Sequence, residues 1–170
     1  MNLRMKIKRL KDVELPKYAK LGDAGFDLVA AEDTIIWPEA TEVVPTGLSF
    51  EIPPGYELQV RPRSGISLNT DLTVILGTVD SSYRGEVGVI TKNSRSLIGT
   101  MTDYLRTIDD EFAQVDGLHQ EGAYIIRKGE RIAQGVIAPV VTAHFVEVDK
   151  LSVSDRGSAG FGSTGIRGGK

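Results

Sequence analysis

The fold is indicated most clearly by the stretch PPGYELQVR at residues 53–61. Its first three residues are a turn signal, because proline fixes φ and glycine accepts the backbone conformations that tight turns need. From Tyr56 to Arg61, apolar and polar side chains then alternate. Strict alternation is the pattern of a strand with one buried face and one exposed face. The stretch therefore predicts a β-strand that begins directly after a tight turn.

Short β-branched runs of the same kind recur along the chain, each bounded by Gly, Pro, Asp or Ser. They lie at residues 34–37, 42–44, 72–76, 87–91, 124–126, 132–137 and 144–148. Many short strands at intervals of about 8–12 residues are typical of an all-β sandwich or barrel, such as a jelly roll. No alternation of strands with long helices is visible, and we therefore predict an all-β fold.

One segment, residues 94–121, has a different pattern. Its apolar side chains recur every three or four positions, at Leu97, Met101, Leu105, Ile108, Phe112 and Val115. That spacing is typical of the apolar face of a helix, and Gly117 is placed to end such a helix. The segment also carries six acidic side chains against two basic ones. We predict a short helical insertion between two strands.

Composition excludes several classes of function. The chain has 170 residues, a length typical of one domain, with 20 basic and 23 acidic side chains and a net charge of −3. That balance argues against a general nucleic-acid binder. The absence of cysteine excludes disulfides, thiolate zinc sites and a cysteine nucleophile. No stretch resembles a signal peptide or a membrane span, so we expect a cytoplasmic protein with no membrane partner.

The glycine-rich tail RGSAGFGSTG, residues 156–165, is the first chemical signal. Bare backbone N–H groups, hydroxyls and the Arg156 guanidinium suit an anionic ligand. Phe161 lies between two glycines and has no core to join, which favours a stacking role. The same composition is also typical of a disordered tail.

Four further polar segments follow predicted turns or strands. They are Asp23–Leu28, Arg61–Gly65, Gly77–Gly85 and Lys128–Gln134. A turn with two arginines, a serine and a glycine suits phosphate, and a loop that presents the lone carboxylate of Asp80 suits a general base. Each segment taken alone is more typical of an ordinary polar turn than of a binding site.

In this order, the five segments resemble the five signature motifs of the trimeric deoxyuridine triphosphatases (dUTPases). The matching stretches are residues 23–27, 62–65, 77–85, 129–134 and 156–165. The resemblance runs from about Met5 to Gly165, except for the insertion. It implies a distorted jelly-roll (β-clip) subunit that forms a homotrimer with active sites at subunit boundaries. In this arrangement residues 1–153 form the β domain and residues 154–170 form a flexible lid arm.

The resemblance also implies the reaction. Water attacks the α-phosphorus of dUTP, giving dUMP and pyrophosphate, with Mg²⁺ on the triphosphate; this lowers dUTP and supplies dUMP for thymidylate synthesis. Asp80 is then the general base, and Tyr83 packs against the deoxyribose and leaves no room for a 2′-hydroxyl. Backbone groups of a hairpin pair with the polar edge of uracil, at Gly77, Thr78, Val79 and Gly88.

The remaining motif residues are assigned to the phosphates by the same resemblance. Ser64 and Gly65 bind the phosphate chain, Arg63 supports their turn, and Gln134 lies near the phosphates. Asp27 holds a water of the hydrated Mg²⁺ rather than the ion itself, since magnesium keeps several of its waters. The tail closes as a lid from a neighbouring subunit, in which Phe161 stacks on uracil and four residues contact the γ-phosphate: Arg156, Gly162, Ser163 and Thr164.

The insertion at residues 94–121 has no counterpart in a minimal dUTPase. Similar extra segments occur in dUTPases of phages of Gram-positive bacteria, so we predict a phage-type member. Some of those enzymes also bind a repressor of a mobile genetic element, and the insertion is our candidate for such a contact; the alternative is a helix that only decorates the surface. Two further alternatives are a bifunctional dCTP deaminase and dUTPase, which shares the fold, and a nucleotide sensor without activity.

Overall fold

In the computed structural model, residues 3–160 are described, and within that range the chain forms thirteen strands and one helix. The helix is α1 (Ser64–Asn69). The strands are β1 (Lys6–Arg9), β2 (Phe26–Val29), β3 (Thr34–Ile36), β4 (Thr41–Pro45), β5 (Leu48–Glu51), β6 (Tyr56–Pro62), β7 (Leu72–Val74), β8 (Gly77–Val79), β9 (Gly88–Asn93), β10 (Met101–Arg106), β11 (Phe112–Gln120), β12 (Tyr124–Ile126) and β13 (Arg131–Pro139). This content confirms the predicted all-β fold class. None of the described residues belongs to a helix long and apolar enough to cross a membrane.

The strands form four sheets, and nearly all neighbours in them are antiparallel. The order is β2-β13-β6-β8 in one four-stranded sheet and β11-β10-β12-β3 in the other; a three-stranded sheet has the order β4-β9-β7, and β1 pairs with β5. The contact of β10 with β12 is parallel and involves one residue pair. Antiparallel sheets with short connections are the arrangement expected of a jelly-roll type of fold.

The predicted strand after the turn at residues 53–55 is β6. It lies between β13 and β8, and the side chains of Leu58 and Val60 are buried, as the alternation predicts. β6 continues directly into α1, so its last residues reach the edge of the main core. β6, one of the two inner strands of this sheet, thereby carries the Arg61–Gly65 segment to one end of the sheet.

Most buried side chains form a single main core. It contains the aromatic side chains of Phe26, Phe50 and Tyr124 and the aliphatic side chains of the flanking strands. A second, smaller cluster forms beside it from Leu105, Ala123 and Ile125.

The predicted helix within residues 94–121 is wrong, because this segment forms a hairpin of β10 and β11. Leu105 pairs with Ala113 across the hairpin and is the only one of the six spaced apolar side chains that is fully buried. A register shift between Thr102 and Tyr104 breaks the alternation within β10. Two strands with a local irregularity thus produce a spacing of three or four residues that resembles a helix face. The one helix of the described range is α1, six residues long, where the sequence indicates only a turn.

The predicted strand at residues 144–148 is not formed within the described chain. From Val141 to Val153 the chain forms neither helix nor strand, and large apolar side chains such as Phe145 are almost fully exposed. A strand needs a hydrogen-bonding neighbour, and this segment has none among residues 3–160. We call residues 141–153 the apolar arm. The sequence pattern alone does not distinguish this exposed segment from a strand inside a sheet.

Candidate active site

Three of the five motif segments meet in one cleft of about 300 Å³. β2 and β13 are neighbours, and Asp27 lies opposite Gln134 in their register. Gln134 in turn lies opposite Arg61 of β6, directly before the turn into α1. This pairing brings the side chains of three separate segments together. The cleft is lined by Ala19, Asp23, Ala24, Gly25, Asp27, Arg63, Ser64, Arg131 and Gln134.

The Asp27 carboxylate lies between two guanidinium groups. Arg63 Nε is 3.1 Å from Asp27 Oδ1, and Arg131 Nη1 is 3.4 Å from Asp27 Oδ2. Arg63 Nη1 also donates a hydrogen bond of 2.8 Å to the backbone carbonyl of Arg131. Because neighbouring residues of β2 face the core, Asp27 faces away from it and into the cleft. Two cations beside one carboxylate and a serine make this cleft suitable for phosphate.

Gln134 is oriented by a backbone contact. Its Nε2 donates a hydrogen bond of 2.9 Å to the carbonyl of Pro62, and none of the residues 3–160 donates a hydrogen bond to its Oε1. Gly25 lies close to this side chain, since a Cβ atom built on it would lie 3.1 Å from Gln134 Oε1 and 3.0 Å from the Gly135 carbonyl. The glycine of the first motif segment therefore allows the backbone to approach β13 closely.

Charged groups fix the turn that precedes β13. Glu130 Oε2 accepts a hydrogen bond of 2.8 Å from the backbone N–H of Arg127, and partial burial raises the pKa of the Glu130 carboxyl. The pKa of Asp33 is lowered by hydrogen bonds from the Lys128 backbone N–H and from the Arg127 guanidinium. These contacts hold the start of the strand that carries Arg131 into the cleft.

The third motif segment forms a second, separate cleft of about 210 Å³. Asp80 directly follows β8 and is exposed. The backbone N–H of Tyr83 donates a hydrogen bond of 3.1 Å to the Asp80 carbonyl, and Tyr83 Oη donates one of 3.2 Å to the Glu86 carbonyl. The second cleft is lined by Thr78, Val79, Asp80, Tyr83, Glu86, Val87 and Gly88.

The loop between β8 and β9 is well anchored, although it is not the tip of a simple hairpin. β8 pairs with β6, while β9 pairs with β4 and β7, so the expected hairpin is instead a loop that connects two sheets. Arg84 Nη1 donates hydrogen bonds to the carbonyls of Ser81 and Tyr83, and Ser49 Oγ donates one of 2.7 Å to the Arg84 carbonyl. Gly85 lies under the Tyr83 ring, which occupies the place of a Cβ atom there. These contacts fix the backbone on the C-terminal side of Asp80.

The other predicted site residues lie in different places. Gly65 and Gly77 adjoin the two clefts without lining them. Arg156 is exposed in a turn, where its Nε donates a hydrogen bond of 3.0 Å to the Ala159 carbonyl. The remaining tail residues predicted to bind substrate lie outside the described residues: Phe161, Gly162, Ser163 and Thr164.

The structure adds three charged residues that were not predicted as site residues. Asp23 and Arg131 line the first cleft, and Glu86 lines the second. All three lie in or directly beside the motif segments, so their position in the sequence was the available signal. Within residues 3–160, no three His, Asp or Glu side chains cluster closely enough to enclose a metal ion.

Comparisons with known proteins agree with this arrangement. The family model described as dUTPase matches residues 11–102 and 119–165, which leaves most of the β10–β11 hairpin outside the match. The deoxyuridine 5'-triphosphate nucleotidohydrolase of Nautilia profundicola is 43% identical over 96% of this chain and 99% of its own length.

Solved structures of phage dUTPases share the fold closely. The Staphylococcus bacteriophage 80alpha dUTPase with dUPNHPP has a TM-score of 0.91 and 36% identity, over 97% of this chain and all of its own. Phage dUTPases of that kind are described as controlling the transfer of virulence genes. A mutant dUTPase from phage phi11 of S. aureus, described as coordinating a structural Mg(II) ion, has a TM-score of 0.84 and 29% identity, over 89% of this chain and 100% of its own. On these matches, together with the motif segments assembled in its two clefts, the chain belongs to the dUTPase family.

Proposed function

We propose that this protein hydrolyses dUTP to dUMP and pyrophosphate. The observation that carries the proposal is the convergence of Asp27, Arg63, Ser64 and Gln134 in one cleft of a chain that belongs to the dUTPase family. A triphosphate is a dense anion that needs several donors, and this cleft offers two guanidinium groups, a hydroxyl and backbone N–H groups.

Asp80 acts as the general base in this reaction. Its carboxylate is exposed at the end of β8, beside the Tyr83 ring and within a loop whose backbone is fixed by Arg84. Attack of water on the α-phosphorus requires one positioned acceptor that orients the water and removes its proton. A fixed loop supplies that position without reorganisation when substrate arrives.

Specificity for deoxyuridine comes from the second cleft, which Asp80 also lines. Tyr83 packs against the deoxyribose and excludes a 2′-hydroxyl, and backbone groups near Gly77, Thr78, Val79 and Gly88 pair with the polar edge of uracil. Gly88 has no room for a side chain, because a Cβ atom there would overlap Val43 Cγ1. Backbone donors and acceptors at fixed positions reject a base with the wrong pattern of polar groups.

The first cleft holds the phosphate chain. Ser64 and Gly65 bind it at the start of α1, and Arg63 supports their turn through its contacts with Asp27 and the Arg131 carbonyl. Gln134 is fixed by Pro62 and contributes its free Oε1, which accepts hydrogen bonds from water rather than donating to phosphate.

The residues of this cleft fit a hydrated Mg²⁺ that arrives with the triphosphate. Magnesium in nucleotide sites keeps several waters and uses one or two carboxylates together with the phosphates. Asp27 supplies a carboxylate that would hold one of those waters rather than the ion itself, and Gln134 lies opposite Asp27 in the strand register and lines the same cleft. The ion, when bound, neutralises charge on the triphosphate, and Asp27 holds one of its waters.

The active enzyme is a homotrimer in which each site combines clefts of different chains. Two features support this assembly: the two clefts have no lining residue in common, and the apolar arm from Val141 to Val153 is exposed. An exposed apolar segment of this length is typical of a protein interface. The last residues, 154–170, form the lid, with Arg156, Phe161, Gly162, Ser163 and Thr164 over the bound nucleotide. Light scattering of the full chain tests the trimer by its mass.

A second candidate function is contact with a protein partner, such as a repressor, at residues 94–121. It is supported by the hairpin, most of which lies outside the family match, and by its exposed acidic turn at Asp109, Asp110 and Glu111. Phe112 beside this turn is also exposed. We expect neutralisation of the three acids to abolish binding of a basic partner while dUTP hydrolysis is unchanged.

A pyrophosphate-release assay with Mg²⁺ tests the main proposal. We expect turnover of dUTP and no turnover of UTP, dTTP or dCTP. Release of ammonia from dCTP would identify the bifunctional deaminase instead. Binding of dUTP without release of pyrophosphate would identify a nucleotide sensor.

A further inference from the structure

The two arginines beside Asp27 are held very differently. Arg63 makes two contacts, with Asp27 at 3.1 Å and with the Arg131 carbonyl at 2.8 Å, and its side chain is 31% exposed. Among the described residues, the Arg131 side chain makes one polar contact, with Asp27 at 3.4 Å, and it is 59% exposed. Strong charge-assisted hydrogen bonds are about 2.7–2.9 Å long, so the Arg131 contact is weak. Arg63 is thus a fixed support, whereas the Arg131 guanidinium is free to exchange its partner at little cost.

A register shift in β13 gives Arg131 its direction. Residues three apart in a regular strand face opposite sides of a sheet. Between Arg131 and Ala133, however, the pairing of β13 with β2 shifts, and both Arg131 and Gln134 line the same cleft. Bulges of this kind re-aim side chains beside active sites. The shift adds a second cation to a cleft that regular alternation would leave with one.

We propose that Arg131 is a phosphate-binding residue, which exchanges Asp27 for an oxygen of the phosphate chain when the nucleotide binds. The inference rests on the proposed function, since it names a contact within the same triphosphate site. The exchange leaves the Asp27 carboxylate paired with Arg63 alone, so that one of its oxygens is free to accept a hydrogen bond from water. Binding of phosphate and release of this oxygen are therefore linked through one side chain.

The experiment is calorimetric titration of the full chain with dUMP and with dUpNHpp, in EDTA and then in Mg²⁺. For Arg131→Gln we expect the Kd of dUpNHpp to rise about 10-fold or more in EDTA, because one charged hydrogen bond is lost. The Kd of dUMP should change less, since it offers fewer phosphate oxygens. Arg131→Lys should lose less than Arg131→Gln, because the charge remains and only the fork geometry is lost.

Arg95→Gln is the matched control. Arg95 also pairs with an aspartate, Asp71, at 2.9 Å, but it lines neither cleft and lies outside the turn before β13. We expect this variant to bind both nucleotides as the wild type does. Equal losses for dUMP and dUpNHpp in Arg131→Gln, or no loss for either, would overturn the inference while wild-type binding and hydrolysis of dUTP stand. A wild-type protein that binds neither nucleotide would overturn the proposed function as well.

Discussion

Gly135 lies opposite Phe26 in the pair of β2 and β13, and the Phe26 ring fills the space where a side chain at position 135 would lie. A Cβ atom built on Gly135 would be 2.6 Å from Phe26 Cε2 and 3.0 Å from Leu58 Cδ1. Phe26 and Leu58 are both buried in the main core. Gln134, the residue before Gly135 in β13, lines the first cleft, so this close packing lies directly beside that cleft.

Gly135→Ala should therefore destabilise the protein. Buried aromatic and aliphatic side chains must move to admit a methyl group, and such overpacking costs about 1–3 kcal/mol of unfolding free energy. Urea denaturation followed by fluorescence measures the change. Gly65→Ala is the control, because a Cβ atom there meets nothing within 4 Å. Equal unfolding free energies for the two variants would show that the core accommodates the methyl group without strain.

Asp80→Asn should remove turnover and keep binding. The amide has nearly the shape of the carboxylate but does not accept a proton from water, and loss of a general base lowers kcat by about 10²–10⁴-fold. Pyrophosphate release measures kcat, and titration with dUpNHpp measures binding. Asp12→Asn, at an exposed position away from both clefts, is the control. Hydrolysis at a near wild-type rate would assign the base to another group.

Removal of residues 154–170 should lower kcat severely and leave the assembly intact. The removed residues contain the predicted lid, whereas the arm that ends at Val153 remains in place. Closure over the nucleotide excludes water and stabilises charge on the leaving pyrophosphate. Steady-state kinetics and light scattering of the truncated chain measure both properties. An unchanged kcat would leave the tail without a role in catalysis.

Glu130→Gln should raise stability at neutral pH and reduce its dependence on pH. Burial raises the pKa of Glu130 above its usual value of 4.5, so the folded state binds this proton more tightly than the unfolded state does. The contribution of Glu130 to stability is therefore fully present below pH 4.5 and is lost as pH rises through the raised pKa. Glutamine keeps an acceptor for the Arg127 backbone N–H and has no charge to desolvate.

Thermal unfolding of wild type and Glu130→Gln between pH 4 and pH 8 measures this difference. The gap between the two melting temperatures should widen as pH rises. Asp33→Asn is an informative comparison, because the lowered pKa of Asp33 gives it the opposite sign: its contribution is present at neutral pH and lost in acid. A constant gap for Glu130→Gln would mean that its carboxyl has the same pKa in both states.

Alternation of apolar and polar residues predicted β6 correctly, a strand that pairs with two neighbours in its sheet and packs one face on the main core. β6 formed where alternation follows the turn at residues 53–55, because its apolar residues meet a core on one face. The motif segments around Asp27, Arg63 and Gln134 were also brought together, since antiparallel pairing joins stretches that are far apart in the chain.

Other features depend on contacts that a local pattern does not contain. Leu105 is buried against Ala123 and Ile125, and that packing selects a hairpin over the helix that its spacing suggested. Residues 144–148 alternate like a strand, yet a strand also needs a neighbour. The separation of Asp80 from the first cleft is likewise set by strand pairing. β8 is antiparallel to β6 and Val79 lies opposite Leu58, whereas the first cleft lies beyond the other end of β6, at Arg63.

The division of the site into two clefts has a genetic consequence. If each site takes one cleft from each of two chains, the clefts of a mixed assembly come from different copies of the gene. An allele with Asp80→Asn and an allele inactivated at Ser64 would then complement each other, because some of the mixed sites join two intact clefts. The same geometry predicts that neither allele is dominant over the wild type, since a defective chain disables only the site to which it supplies its altered cleft.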